Sequence, residues 1–241
     1  MHDHLQNGTP DLPEEPNQTG PLIFEPGISE VFYQDVSGSI KQNGVEIVSS
    51  SVFTPYFNDV NRNIELNFGI IDSLTAEKLV SLTLQRRNFV APALPDLRKL
   101  SITAKRQEKG RFLIAQREYV ADSIKFYNDR NQRIKEFCNT VDSKLARYKN
   151  GLSGQSDIIT AVDIADKVFN YSQFGTANKY LLLNSDGFDS FHKMASKLKN
   201  NAEVILINAG KKSHTSFDSI LTTNLQSSEQ AIEFTLNNPK N

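Results

Sequence analysis

Tyr180-Leu-Leu-Leu183, Val204-Ile-Leu-Ile207 and Val31-Phe-Tyr33 are short, uninterrupted apolar runs, each bounded by polar residues. A strand with one wet face alternates apolar and polar side chains. A strand that is apolar at every position must instead be covered on both faces, which is the situation of parallel strands sandwiched by helices. Two further strand signals, Ile64–Ile71 and Val80–Leu84, lie in the stretches Ile64–Asp72 and Leu79–Gln85, which are separated only by the mainly polar Ser73–Lys78 and predict a hairpin with one antiparallel edge strand. Helical patterns fall between the strands, at Gly44–Phe57, Arg111–Lys149, Ile158–Phe169, Phe188–Lys199 and Glu229–Leu236. Strands alternating with helices predict an α/β fold: a doubly wound, mostly parallel, Rossmann-like sheet. No internal repeat interrupts it.

The bulk numbers permit this fold and exclude several functions. A chain of 241 residues with 38% apolar content can bury one large core. The net charge of −1 gives no general attraction to nucleic acid or to an anionic membrane. Cys138 is alone, so neither an intramolecular disulfide nor a multi-cysteine zinc site can form. No apolar run reaches the roughly 18 residues needed to span a bilayer. Residues 1–28 carry Pro10, Pro13, Pro16, Pro21 and Pro26 among Gly, Asn and acids, and read as a flexible leader or tether ahead of a domain at 29–241. Such a stalk suits an exported, periplasmic or cell-surface protein, including a truncated lipoprotein; the cytoplasm is the alternative. Asn7-Gly-Thr9, Asn17-Gln-Thr19 and Asn170-Tyr-Ser172 match glycosylation sequons, a pattern too short to decide the compartment.

The first apolar run leads into Asp35-Val-Ser37-Gly-Ser39. An acid and two hydroxyls therefore emerge at the C-terminal end of a strand, the edge where open parallel sheets bind ligands. Oxygen donors of this kind suit hard cations, Mg²⁺, Mn²⁺ or Ca²⁺. The same residues could instead cap a helix, with the acid accepting backbone N–H bonds.

The stretch resembles the D-x-S-x-S metal-ion-dependent adhesion site of von Willebrand factor type A (vWA) domains. Two later segments extend the resemblance in the family's order. Gly154-Gln-Ser156-Asp157-Ile158-Ile-Thr160-Ala161 is similar to the loop G-x-T-D-[IL]-x-x-[AG], and Tyr180-Leu-Leu-Leu-Asn-Ser185-Asp186-Gly187 is similar to the strand ending T-D-G. Serine stands at both places where the family has threonine, which keeps the oxygen and loses the methyl that restricts the rotamer. The resemblance runs from about Ser29 to Leu236, with an unusually long segment before the second loop. It implies that Ser37, Ser39 and Ser156 bind a divalent ion through hydroxyls, while Asp35 and Asp186 hold its waters or add one direct bond. It further implies Mg²⁺, with Mn²⁺ or Ca²⁺ as substitutes, and a protein partner whose Asp or Glu carboxylate completes the coordination. No catalysis is implied.

Enzyme readings fail on particular residues. A haloacid-dehalogenase type of phosphatase also begins with a strand ending in Asp, but needs a second acid where Ser37 stands. Neither a G-x-G-x-x-G nor a P-loop nor a G-x-S-x-G motif occurs. His2, His4, His192 and His214 are scattered, and read as surface residues.

The segment 98–150 is basic and helical. Arg98–Lys149 holds 14 Lys/Arg against 6 Asp/Glu. Leu113, Gln116, Val120, Ile124, Tyr127, Asn131, Ile134, Cys138, Val141, Leu145 and Tyr148 recur in steps of three and four, a heptad-like seam. As one helix, this span would be about 54 Å long. A break at Asn128–Asn131 is the alternative, because those residues are poor helix formers. The seam can pack on the sheet, dock a partner helix or self-associate. Its aromatic residues lie on or beside the apolar stripe, which argues against a nucleic-acid surface. A scaffold subunit that uses this helix, with a structural metal or none, is the runner-up to metal-dependent binding.

Overall fold

The computed structural model describes residues 25–72, 79–148, 153–187, 189–191, 198–208, 217 and 222–238. Strands β1 (Ile28–Asp35), β2 (Ile64–Ile71), β3 (Val80–Leu84), β4 (Asn178–Asn184), β5 (Glu203–Ile207) and β6 (Thr222–Leu225) form one six-stranded sheet ordered β3-β2-β1-β4-β5-β6. Every pairing is parallel except β2 with β3, which is antiparallel at the edge. The α/β class, the doubly wound sheet and its single antiparallel edge strand are as the apolar runs and the β2–β3 spacing predict.

Side-chain alternation along each strand divides the core into two layers. Ile28 and Phe32 of β1, with Tyr180 and Leu182 of β4, face one layer; Val31, Tyr33, Leu181 and Leu183 face the other. The second layer is closed by α4 (Ile158–Asn170), whose Ile158, Val162, Ala165 and Phe169 recur at helical spacing and are buried. The first is closed by α2 (Thr54–Asn58), by α5 (Ser228–Asn237) and by Phe137, Val141 and Leu145 of the long helix α3 (Ile102–Ala146). Aromatic rings knit this layer: Phe53 stands edge-on to Phe32 at 5.3 Å and to Phe137 at 5.8 Å.

Helix α3 runs 45 residues without interruption, starting earlier than the heptad pattern indicates, and is about 68 Å long. The alternative break at Asn128–Asn131 does not occur. Arg130, 5% exposed, is anchored within that stretch: its guanidinium donates to the carbonyls of Tyr56 (3.2 Å), Phe57 (3.2 Å), Asp59 (2.6 Å) and Gln85 (3.3 Å). Tertiary anchoring of this kind overrides the weak local propensity of the asparagines. The seam is buried only toward its C-terminal end, at Val141 and Leu145, while Leu113 and Ile124 are exposed. Phe24–Arg87 and Ser123–Asn241 form one compact unit, containing the sheet, and Asn88–Asp122 belongs to another. Within the latter, Phe89 packs edge-on against Tyr119 at 5.7 Å.

Two expectations need correction. Gly44–Phe57 is not one helix. It resolves into a loop from Gly44, where φ is +73°, then a 3₁₀ turn at Ser50–Phe53 and the short α2, preceded by α1 (Gly38–Gln42) directly after β1. The β-branched Val45, Ile47 and Val48 and the run Ser49-Ser50-Ser51 disfavour a helix there. Strand β6 is an addition: Thr222-Thr-Asn-Leu225 has no apolar run and no fully buried position, and Asn224 is exposed. The expected helix at Phe188–Lys199, the four histidines and most of the leader fall largely or wholly outside the described residues.

Candidate metal centre

Chain reversal in this sheet happens between β1 and β4. The connection from β1 goes one way, to β2, and that from β4 goes the other, to β5. Loops leaving the carboxyl ends of these two strands diverge, and the crevice between them is the ligand position of doubly wound sheets. Asp35 is the last residue of β1 and Asp186 follows β4 by two.

Asp35 is fully buried. Its Oδ1 accepts the Ser37 N–H at 2.8 Å, and its Oδ2 accepts the Ser185 hydroxyl at 2.6 Å. Ser37 occupies the position before α1, yet its hydroxyl does not cap that helix; it lies 3.1 Å from the hydroxyl of the half-buried Ser39. The capping alternative therefore holds only for the Asp35 contact with the Ser37 amide. Burial pushes the Asp35 carboxyl up to about 6, an effect to which the nearby Asp186 charge adds and which the Ser185 and Ser37 hydrogen bonds oppose. Asp186 is buried and accepts from Asn43 Nδ2 at 2.9 Å.

Ser156 is carried to the same edge by its loop. That loop bridges to β1's exit: Ser153 N–H donates to the Val36 carbonyl and Gly38 N–H to the Ser153 carbonyl, both at 2.8 Å. It also binds the exit of β2, through Asp157 N–H to the Asp72 carbonyl at 3.2 Å. On the β4 side, Ser190 exchanges bonds with Ser156: its Oγ accepts the Ser156 N–H and its N–H donates to the Ser156 carbonyl, each at 2.9 Å. Asp157 caps α4 by accepting the Thr160 N–H at 3.0 Å, which leaves the buried Ser156 just outside the helix. Asp35, Ser37, Ser39 and Asp186 are thus joined by short contacts or by charge, and Ser156 stands on the loop stitched between them.

Sequence reasoning missed three contributors. Asn43 holds Asp186, while buried Asp189 accepts the N–H of Ile158 (3.0 Å) and of Phe191 (3.0 Å), tying the β4 exit to α4. Ser190 is the third. None lies in a motif, and only the chain's folding brings them into register with one.

The donor chemistry fits a hard divalent cation: hydroxyl oxygens together with the buried carboxyls of Asp35 and Asp186. Ser37, Ser39 and Ser156, with Asp35 and Asp186, are the residues that would hold it. Among the described residues, no cluster of three or more His, Cys, Asp or Glu is placed to bind a metal. No family model matches the chain, and no curated protein matches it. The class is accordingly set by architecture: an α/β domain with a mostly parallel six-stranded sheet. Among the described residues no helix is long and apolar enough to cross a membrane.

Proposed function

We propose that this chain is a vWA-like module for metal-dependent protein binding, with no covalent chemistry of its own. Ser37, Ser39 and Ser156 bind a Mg²⁺ or Mn²⁺ ion through hydroxyls, and Asp35 and Asp186 balance its charge and orient its waters. Neutral oxygen donors leave such an ion electrophilic, able to accept the carboxylate of a partner's Asp or Glu. The observation that carries this reading is the meeting of Asp35, Ser37 and Ser39 with Ser185 and Asp186 at the point where the strand order reverses. The strand order with its antiparallel β3 edge and the Ser156 loop beside the same crevice add support. In a calorimetric titration with Mn²⁺, the wild type gives a saturable heat that Asp35→Ala lacks. Equal heats from both proteins would dismiss the reading.

A second reading has its own observation. Leu94, Ile102, Leu113 and Ile114, all within the unit containing Asn88–Asp122, are 83%, 75%, 53% and 59% exposed. Apolar residues so exposed suit a scaffold that binds its partner through the long helix. EDTA abolishes partner capture if the crevice is the binding site and leaves it intact if the helix is.

A further inference from the structure

Gln34 and Asn184 sit at the ends of adjacent strands, in register with each other and fully buried. Burying two primary amides is unfavourable unless their donors and acceptors are matched, and an apolar pair would fill the same space without that demand. Here the amides are matched, and to the loop that follows α1. Asn184 Nδ2 donates to Gln34 Oε1 and to the Glu46 carbonyl, both at 2.9 Å. Gln34 Oε1 also accepts the Val48 N–H at 3.1 Å, and Gln34 Nε2 donates to the Asp35 carbonyl at 2.8 Å. On the other side, Asn208 Nδ2 donates to Asn184 Oδ1 at 2.9 Å. Asn208 follows β5 directly, at φ +62°, a left-handed conformation that asparagine adopts more readily than most residues. The three amides form a ladder across the ends of β1, β4 and β5.

The clamped loop begins with Asn43, the residue that donates to Asp186. We propose that Gln34, Asn184 and Asn208 are positioning residues: their amides clamp loop 43–48 to the strand ends, and the loop's Asn43 fixes the Asp186 carboxylate in the crevice. The inference rests on the cation-binding reading above and adds to it how the second acid is held. The ladder acts as supporting partners of metal ligands generally do, by fixing the orientation of a carboxylate that would otherwise rotate.

The test compares the full chain with Gln34→Leu/Asn184→Leu and, separately, with Asn43→Ala. The double variant takes the acceptor from the Val48 N–H and the donor from the Glu46 carbonyl, so Val48 exchange reports release of the loop whatever the loop does for the crevice; a purely structural ladder leaves Mn²⁺ affinity unchanged. The positioning role predicts at least tenfold faster hydrogen exchange at Val48 in the double variant. It also predicts Mn²⁺ affinity weakened about 10- to 100-fold by calorimetry. Asn43→Ala, at an exposed site, weakens Mn²⁺ binding while Val48 exchange stays as in the wild type. Should the double variant fail to fold, Asn208→Gly, which removes one amide of the ladder and suits the left-handed backbone there, takes its place with the same expected outcomes. Wild-type affinity in both variants overturns the inference. If the wild type itself takes up no Mn²⁺, the cation reading falls, and unchanged Val48 exchange in the double variant then removes the clamp as well.

Discussion

Replacing Glu30 by glutamine should flatten the fall of stability with rising pH. Glu30 lies in the middle of β1, fully buried, on the face covered by α2 and α5. The Tyr56 hydroxyl of α2 meets both the Glu30 carboxyl and the Thr235 hydroxyl of α5. Thr235 already donates to the Ile232 carbonyl at 2.9 Å, so its proton is committed. Tyr56 has one proton for two neighbours, and a protonated Glu30 supplies the missing donor. Burial accordingly pushes the Glu30 carboxyl from 4.5 up to about 8, with the Tyr56 hydrogen bond opposing the rise. Between those values the unfolded chain releases a proton that the folded protein keeps. This group's contribution is therefore complete below pH 4.5 and is lost as pH rises toward 8, by up to about 1.4 kcal/mol per pH unit. Over the three units from pH 5 to 8 that amounts to about 4 kcal/mol. Glutamine is neutral throughout and removes this dependence, while all other titrating groups cancel between the two proteins. Urea unfolding followed by circular dichroism at pH 5, 6, 7 and 8 should show the difference moving in the variant's favour by about 1 kcal/mol per unit. Parallel stability curves would refute the reasoning.

Two further substitutions test the packing that supports the crevice. Arg130→Ala leaves four carbonyls around α2 and β3 without their shared donor and should cost about 2–4 kcal/mol in urea unfolding. Arg130→Lys, lacking the planar fork, should recover less than half of that loss; a cost below about 0.5 kcal/mol for alanine would contradict the anchoring role. Gly69→Ala should destabilise by about 1–3 kcal/mol, because a Cβ there would lie 2.7 Å from Leu79 Cδ2 and press into the Tyr33 ring across the β1–β2 register. Tyr33→Leu in the same background should restore part of the loss, and no restoration would locate the strain elsewhere.

The sheet was legible because its central strands are buried on both faces, and burial at every position leaves an unmistakable apolar run, as in Tyr180–Leu183. Strand β6 was not, since Thr222–Leu225 is partly exposed and its pairing with β5 is a tertiary fact. The region after Ser39 misled for a related reason. Apolar Val45, Val52, Phe53 and Tyr56 are buried, but a positive-φ glycine and the Asn184 bond to Glu46 hold the chain out of one continuous helix. Within the crevice, Asp35, Ser37 and Ser39 could be named from the residues that follow the first strand, and Ser156 and Asp186 only from the resemblance to vWA loops. Their holders could not: Asn43 is far in sequence from Asp186, and Gln34 and Asn184 look like lapses in apolar strands until their mutual bond is seen.

In the proposed site, five side chains from three loops share one divalent ion. Crystals soaked in Mn²⁺ and measured for anomalous scattering test this most directly. A single peak within about 2.0–2.3 Å of the Ser37, Ser39 and Ser156 hydroxyls, with Asp35 and Asp186 facing it directly or through water, is the predicted result. No peak in that crevice under saturating Mn²⁺, or one that these hydroxyls do not touch, would contradict it.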